Sequence, residues 1–293
     1  MINRKANLIK DKIVEIKEFP IVFGSHEVRL KGKVLLPQDA NTDSPVPGAV
    51  FCHGFGSSYR AVEPSARIMS SQGIATIIFD FRGHGSSEGV ADGKMVEDVV
   101  DAWDFLSQFP EVDAKRMGLI GHSLGAMSAI VSAERVNNPR VLVALACPPE
   151  VDSQLSTADP SDVNQWGHNG SGVAEYPKHG AFPWLRGIAA FVCRVWMYIF
   201  GYRVRVNWQK FLENFPRIKM SEVLQKLDGC SKLFVFCKGD KVTPYQKSIL
   251  AYETACKPKR MILAKGGFHT SPLLPGNLRS QWTSWAVRTL TAN

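Results

Sequence analysis

Apolar and polar positions follow two different rhythms along this chain. In "KIVEIKEF" (12–19) and "HEVRLKGKVLLP" (26–37) they alternate with period two. Alternation is the signature of strands with one solvated face, and it predicts an antiparallel pair. "NTDSPVPG" then breaks the chain. Beyond it the apolar positions gather into short, nearly continuous runs at 48–54, 73–85, 116–125, 140–149, 231–240 and 259–269. Such runs predict strands buried on both faces, which a parallel sheet covered by helices requires. Helical spacing fills the gaps near 64–72, 94–108, 124–137, 244–255 and 277–291. Thr243 is placed to cap the helix near 244, with Pro244 in its first turn. The regular alternation predicts an α/β fold with a doubly wound, mostly parallel sheet.

Residues 150–220 do not fit that alternation. The stretch is far longer than an ordinary αβ connection and carries Trp166, Trp184, Trp196, Trp208 and "FPW" at 182–184. Connections of this length are usually lids or functional insertions. The expected organisation is a core of residues 1–149 and 221–293, with 150–220 as a partly helical cap over the carboxyl ends of the strands. Within it, Ile188, Phe191, Val192, Val195 and Ile199 recur at helical spacing. That apolar side either packs as plain core or lines an acyl or aryl pocket. The second reading nominates Trp184, Phe191, Trp196 and Phe200 as substrate-binding residues.

Composition removes several function classes. The chain has 293 residues, 45% of them hydrophobic, with a net charge of +8. The basic residues are spread out rather than clustered, so nucleic acid is not an expected partner. The longest apolar stretch, 187–202, is interrupted by Arg194 and is short for a membrane span. Contact with a membrane surface through Arg186, Arg194, Arg203 and Arg205 is conceivable but is not the expectation. The N-terminus lacks the apolar run and cleavage site of a signal peptide, which points to the cytoplasm. Six cysteines without CxxC pairs read as free thiols, and no spacing resembles a metal site.

The candidate chemistry lies at strand ends, where a parallel sheet places its working site. "LIGHSLGAMSA" (119–129) sets Ser123 between an apolar strand and a helix. A strand that turns directly into a helix holds its serine in a tight elbow, and Gly121 and Gly125 remove side chains that would clash there. The helix N-terminus offers free N–H groups to a developing negative charge. A serine hydroxyl needs a base, and the base needs an orienting acid. "KGD" places Asp240 after one strand, and "GGFH" places His269 after the next. Asp228 is a weaker rival for the acid, since it precedes its strand.

Taken together, "HGFGSS" (53–58), "DFRGHGSSEG" (80–89), "GHSLG" (121–125), "GDKVTP" (239–244) and "GGFH" (266–269) resemble the landmarks of α/β-hydrolases, in the same order. The resemblance covers about residues 27–149 and 221–291. It is nearest the serine esterase branch that holds feruloyl and cinnamoyl esterases and monoacylglycerol-lipase-like enzymes. It implies a triad of Ser123, Asp240 and His269. It also implies that the main-chain N–H groups of Phe55 and Leu124 form the oxyanion hole, with no cofactor and no metal.

The expected activity is therefore serine-hydrolase cleavage of a small-molecule carboxylic ester with an apolar acyl or aryl group, through an acyl-enzyme. A thioester or amide is the alternative, followed by carbon–carbon bond hydrolysis. A receptor that keeps the fold without turnover would be expected to lose a triad member. Several other polar residues read as structural. His53 and His84 brace loops, His122 tucks into the elbow, and Asp80 and Arg82 hold the loop after their strand. Asp92, Glu97, Asp98, Asp101 and Asp104 read as a solvated helix face. His168 and His179 fall in the cap without a role.

Overall fold

The computed structural model describes residues 14–25, 27–136, 139–149, 203–214 and 219–292. Eight strands form one sheet: β1 (Ile16–Ser25), β2 (Val28–Pro37), β3 (Val46–Cys52), β4 (Ala75–Phe79), β5 (Val112–His122), β6 (Val141–Leu145), β7 (Ser231–Cys237) and β8 (Lys259–Ala264). Their order across the sheet is β1-β2-β4-β3-β5-β6-β7-β8. The period-two segments pair as the antiparallel hairpin β1–β2, and β2 runs antiparallel to β4. Every other pairing is parallel.

Seven helices are described: α1 (Tyr59–Ser70), α2 (Met95–Ser107), α3 (Leu124–Ser132), α4 (Trp208–Asn214), α5 (Met220–Lys226), α6 (Tyr245–Thr254) and α7 (Asn277–Thr291). They cover both faces of the sheet. Met95, Val99 and Trp103 of α2, Met127 and Ile130 of α3, and Val223 and Leu224 of α5 bury one face. Val62, Ala66 and Met69 of α1 pack with Trp282, Ala286 and Leu290 of α7 on the other. This two-sided burial is why the central strands read as unbroken apolar runs. The sheet is doubly wound and mostly parallel, as the sequence pattern predicts.

Three local expectations are corrected. Helix α3 stops at Ser132, short of 137. Helix α6 starts at Tyr245 with Pro244 at its N-cap, and the Thr243 hydroxyl does not cap it. Asp98 is not part of a solvated face. It is fully buried, and the buried guanidinium of Arg82 donates to it at 2.6 Å and 2.9 Å. The Arg82 main-chain N–H donates to the other carboxylate oxygen at 2.9 Å, and the Ser25 hydroxyl adds a fourth hydrogen bond at 2.8 Å. Helix α2 thus clamps the loop after β4 to the β1–β2 hairpin through a satisfied charge pair.

Of the expected cap, residues 150–202 lie outside the described residues, and with them Trp184, Phe191, Trp196 and Phe200. The returning chain at 203–207 runs along the loop after β4. Arg205 N–H donates to Gly83 O at 2.7 Å, and Ala91 N–H donates to Arg205 O at 2.7 Å. The Arg205 guanidinium reaches the carbonyls of Gly89 and Ser87. Among the described residues, no helix is long and apolar enough to cross a membrane.

Candidate active site

Strand β5 ends at His122 and α3 begins at Leu124, so Ser123 alone makes the turn. Its backbone sits at φ 54° and ψ −122°, a conformation that side-chain-bearing residues rarely adopt. Strain of this kind costs on the order of 1–3 kcal/mol and persists only where the surroundings enforce it. Here the Ser123 N–H is fixed to Leu145 O at 2.9 Å. The flanking glycines are a steric necessity. A Cβ at position 121 would stand 2.2 Å from Gly125 O, and one at position 125 would stand 2.3 Å from Cys52 O. Among the described residues, the Ser123 hydroxyl makes no hydrogen bond.

The loop after β3 lies against this elbow. A Cβ on Gly54 would stand 3.3 Å from Ser123 Cβ and 3.1 Å from His122 Nδ1. His53 fixes the loop: its Nδ1–H donates to Gly54 O at 2.7 Å, and its Nε2 accepts from Phe81 N–H at 3.1 Å. Burial pushes the His53 imidazole down to about 4, so it braces the loop in its neutral form. Phe55 follows directly. Its ring packs on His84 at 5.5 Å and on Trp208 at 5.6 Å between centroids. The N–H groups of Phe55 and Leu124 are engaged by no hydrogen bond among the described residues.

The loops after β7 and β8 bring Asp240 and His269 together. His269 Nδ1 stands 2.9 Å from Asp240 Oδ2. The other carboxylate oxygen accepts the N–H groups of Val242 and Thr243, both at 2.9 Å. Burial alone would raise the Asp240 pKa. The His269 hydrogen bond and the Thr243 N–H outweigh it and hold this carboxyl below its ordinary value. Thr243 contributes more than sequence reading gave it, since its hydroxyl donates to Asp240 Oδ2 at 2.8 Å.

The Ser123 elbow and the His269 loop are joined through the residue before the serine. His122 Nε2 lies 2.9 Å from His269 O, and the two rings are 4.8 Å apart between centroids. Neither of two surface hollows, of about 620 Å³ between β8 and α7 and about 430 Å³ behind the His269 loop, is lined by Ser123. Among the described residues, no group of His, Cys, Asp and Glu is arranged to hold a metal ion.

A family model described as serine aminopeptidase, S33, matches residues 44–168, the stretch that carries β3, the Gly54 loop and the elbow. A thiohydrolase of Aspergillus aculeatus, aneE, is 33% identical over 145 residues, covering 47% of this chain and 43% of that protein. The chain thus spans less than half the length of the first curated relatives it matches. The α/β hydrolase GrgF from Penicillium sp. sh18 superposes with a TM-score of 0.66 at 18% identity, over 93% of this chain and 98% of that one. The Pyrococcus furiosus esterase Pf2001 superposes with a TM-score of 0.59 at 20% identity, over 96% of this chain and 92% of that one. At such identities the likeness shows the fold alone: the chain has the α/β-hydrolase fold, and the family model matches the stretch of it that carries the Ser123 elbow.

Proposed function

We propose that this protein is a serine hydrolase that cleaves a carboxylic ester of an apolar acyl or aryl group through an acyl-enzyme. One observation carries the reading: a buried, depressed carboxylate holds His269 Nδ1 at 2.9 Å, on a loop tied to the strained Ser123 elbow. In this reading His269 Nε2 takes the proton from Ser123 Oγ as the oxygen attacks the carbonyl carbon. Asp240 accepts from Nδ1–H, which fixes the tautomer and offsets the charge of the imidazolium. The oxyanion rests on the N–H groups of Phe55 and Leu124, which stand ready at the loop and the helix start. His269 then gives its proton to the leaving alkoxide and activates the water that releases the acid. No step calls on a cofactor.

A thioester is the second reading. A relative named as a thiohydrolase supports it, and the same triad and oxyanion hole serve both acyl groups. The cap proposed over residues 150–220 would bound the acyl pocket. Burying a methylene is worth roughly 0.8 kcal/mol, so rates should climb by up to about fourfold per carbon until the pocket is full. The test is kcat/KM on matched nitrophenyl esters and acyl thioesters of graded length, beside aryl acyl groups. Turnover of neither acyl class by the wild type would end the proposal. A flat length profile would remove the apolar pocket alone.

A further inference from the structure

His269 stands on a weakly supported part of the molecule. It follows β8, the edge strand of the sheet, and residues 265–268 before it are exposed. Its imidazole is held from one side by Asp240 and Thr243. Those contacts fix the ring to the β7 loop, which reaches the Ser123 elbow only indirectly: the Thr243 hydroxyl lies 3.2 Å from Ala146 O, next to the Leu145 carbonyl that holds Ser123 N–H. Among the described residues, the hydrogen bond from His122 to His269 O is the one that joins the His269 loop to the elbow. We propose that His122 is a positioning residue for the reaction assigned to Ser123: its Nε2–H grips the main-chain carbonyl of His269 and sets where the base stands over the nucleophile. The inference rests on the function proposed above.

The geometry leaves His122 little other choice. A carbonyl only accepts, so Nε2 must carry the proton, and the ring is committed to one neutral tautomer. Burial, reinforced by the neighbouring His269, pushes its pKa down to about 4, so the donor persists through neutral pH. Nδ1 on the other edge faces Gly54, where even a methyl group would approach to 3.1 Å. One buried ring is thereby lodged between the Gly54 loop and the His269 loop, and it is covalently next to Ser123. With Nε2–H given to a carbonyl, His122 is no second base. It acts through His269. A shift of about 1 Å in a reacting group can cost about 100-fold in rate.

Two variants separate the hydrogen bond from packing. His122→Leu keeps much of the volume and removes the donor, while His122→Gln restores an amide donor of similar reach. We expect His122→Leu to lower kcat on a nitrophenyl ester by about 10- to 100-fold, with KM within about twofold of wild type. Labelling of Ser123 by a fluorophosphonate should slow in parallel. His122→Gln should recover most of the loss. Wild-type kcat in folded His122→Leu, or equal loss in both variants, would overturn the proposal. Should both variants fail to fold, nitrogen chemical shifts of the wild-type imidazole decide. The neutral Nε2–H tautomer supports the proposal, and an Nδ1–H tautomer ends it. A wild type that neither labels nor turns over would instead overturn the hydrolase reading, and this inference with it.

Discussion

The Thr243 hydroxyl lies between Asp240 and His269, 2.8 Å from Oδ2 of one and 3.2 Å from Nδ1 of the other. Because the His269 Nδ1–H belongs to the carboxylate, the hydroxyl's own proton is left to its acceptors, and it goes to Asp240 at 2.8 Å rather than to the uncharged Ala146 O at 3.2 Å. The carboxylate is then saturated by donors. Thr243→Val keeps the shape and removes one of them. A hydrogen bond to a charged group is worth about 1.5–3 kcal/mol, and we expect a stability loss of that order, read by urea unfolding at pH 7. The kcat should fall about tenfold or less, since the His269 contact remains. Unchanged stability would show that the hydroxyl adds nothing to the carboxylate.

Ser123 gives a second expectation, because its backbone angle and its proposed chemistry make opposite demands. Glycine adopts φ 54° without penalty, whereas alanine does not. Ser123→Gly should therefore unfold at a higher temperature than Ser123→Ala, by about 1 kcal/mol or more in stability, while both lack activity. Equal thermal midpoints for the two variants would remove strain from the description of the elbow.

The dependence of stability on pH follows from three buried histidines. Burial pushes His53 and His122 down to about 4 and His84 to about 3. In the unfolded chain each titrates near 6.5. Between those limits the unfolded state binds more protons, so stability rises with pH there. We expect it to be complete above about 6.5 and to be lost as pH falls toward about 4. Asp240 works in the same direction at lower pH. Its folded pKa is depressed, so its contribution is present above the ordinary carboxylate value and is lost as pH falls through the folded one. Unfolding at pH 5 should take up about three protons on the histidines, measurable from the pH dependence of the unfolding free energy. Uptake near zero would contradict their buried, neutral placement.

Much of this architecture is legible in the sequence because two-faced burial leaves a local mark. β3, β4, β6 and β7 are short apolar runs, and the hairpin β1–β2 alternates because one of its faces meets solvent. The pairing of Asp240 with His269 could be anticipated from two strand ends followed by polar residues in a known order. What stayed hidden depends on partners distant in sequence. Asp98 resembles its acidic neighbours along the helix until Arg82, on a different loop, is found against it. Thr243 reads as a helix cap because capping is local, whereas its hydroxyl turns to the Asp240 carboxylate and lies 3.2 Å from Ala146 O, 97 residues away. The His122–His269 contact spans 147 residues, and only the loop after β8, reaching back past β7 and β6 to the end of β5, reveals it.

The claim beneath all of these is that Ser123 is a nucleophile driven by His269 and Asp240, and mass spectrometry of covalent labelling addresses it most directly. The wild type is treated with a fluorophosphonate beside Ser123→Ala, His269→Ala and Asp240→Asn, and the intact masses and modified peptides are read. The expected result is one adduct per chain, on the peptide holding Ser123. It should be absent in Ser123→Ala and slowed by orders of magnitude in His269→Ala, with Asp240→Asn also strongly slowed. An adduct on another residue, or equal labelling of Ser123→Ala, would contradict the assignment.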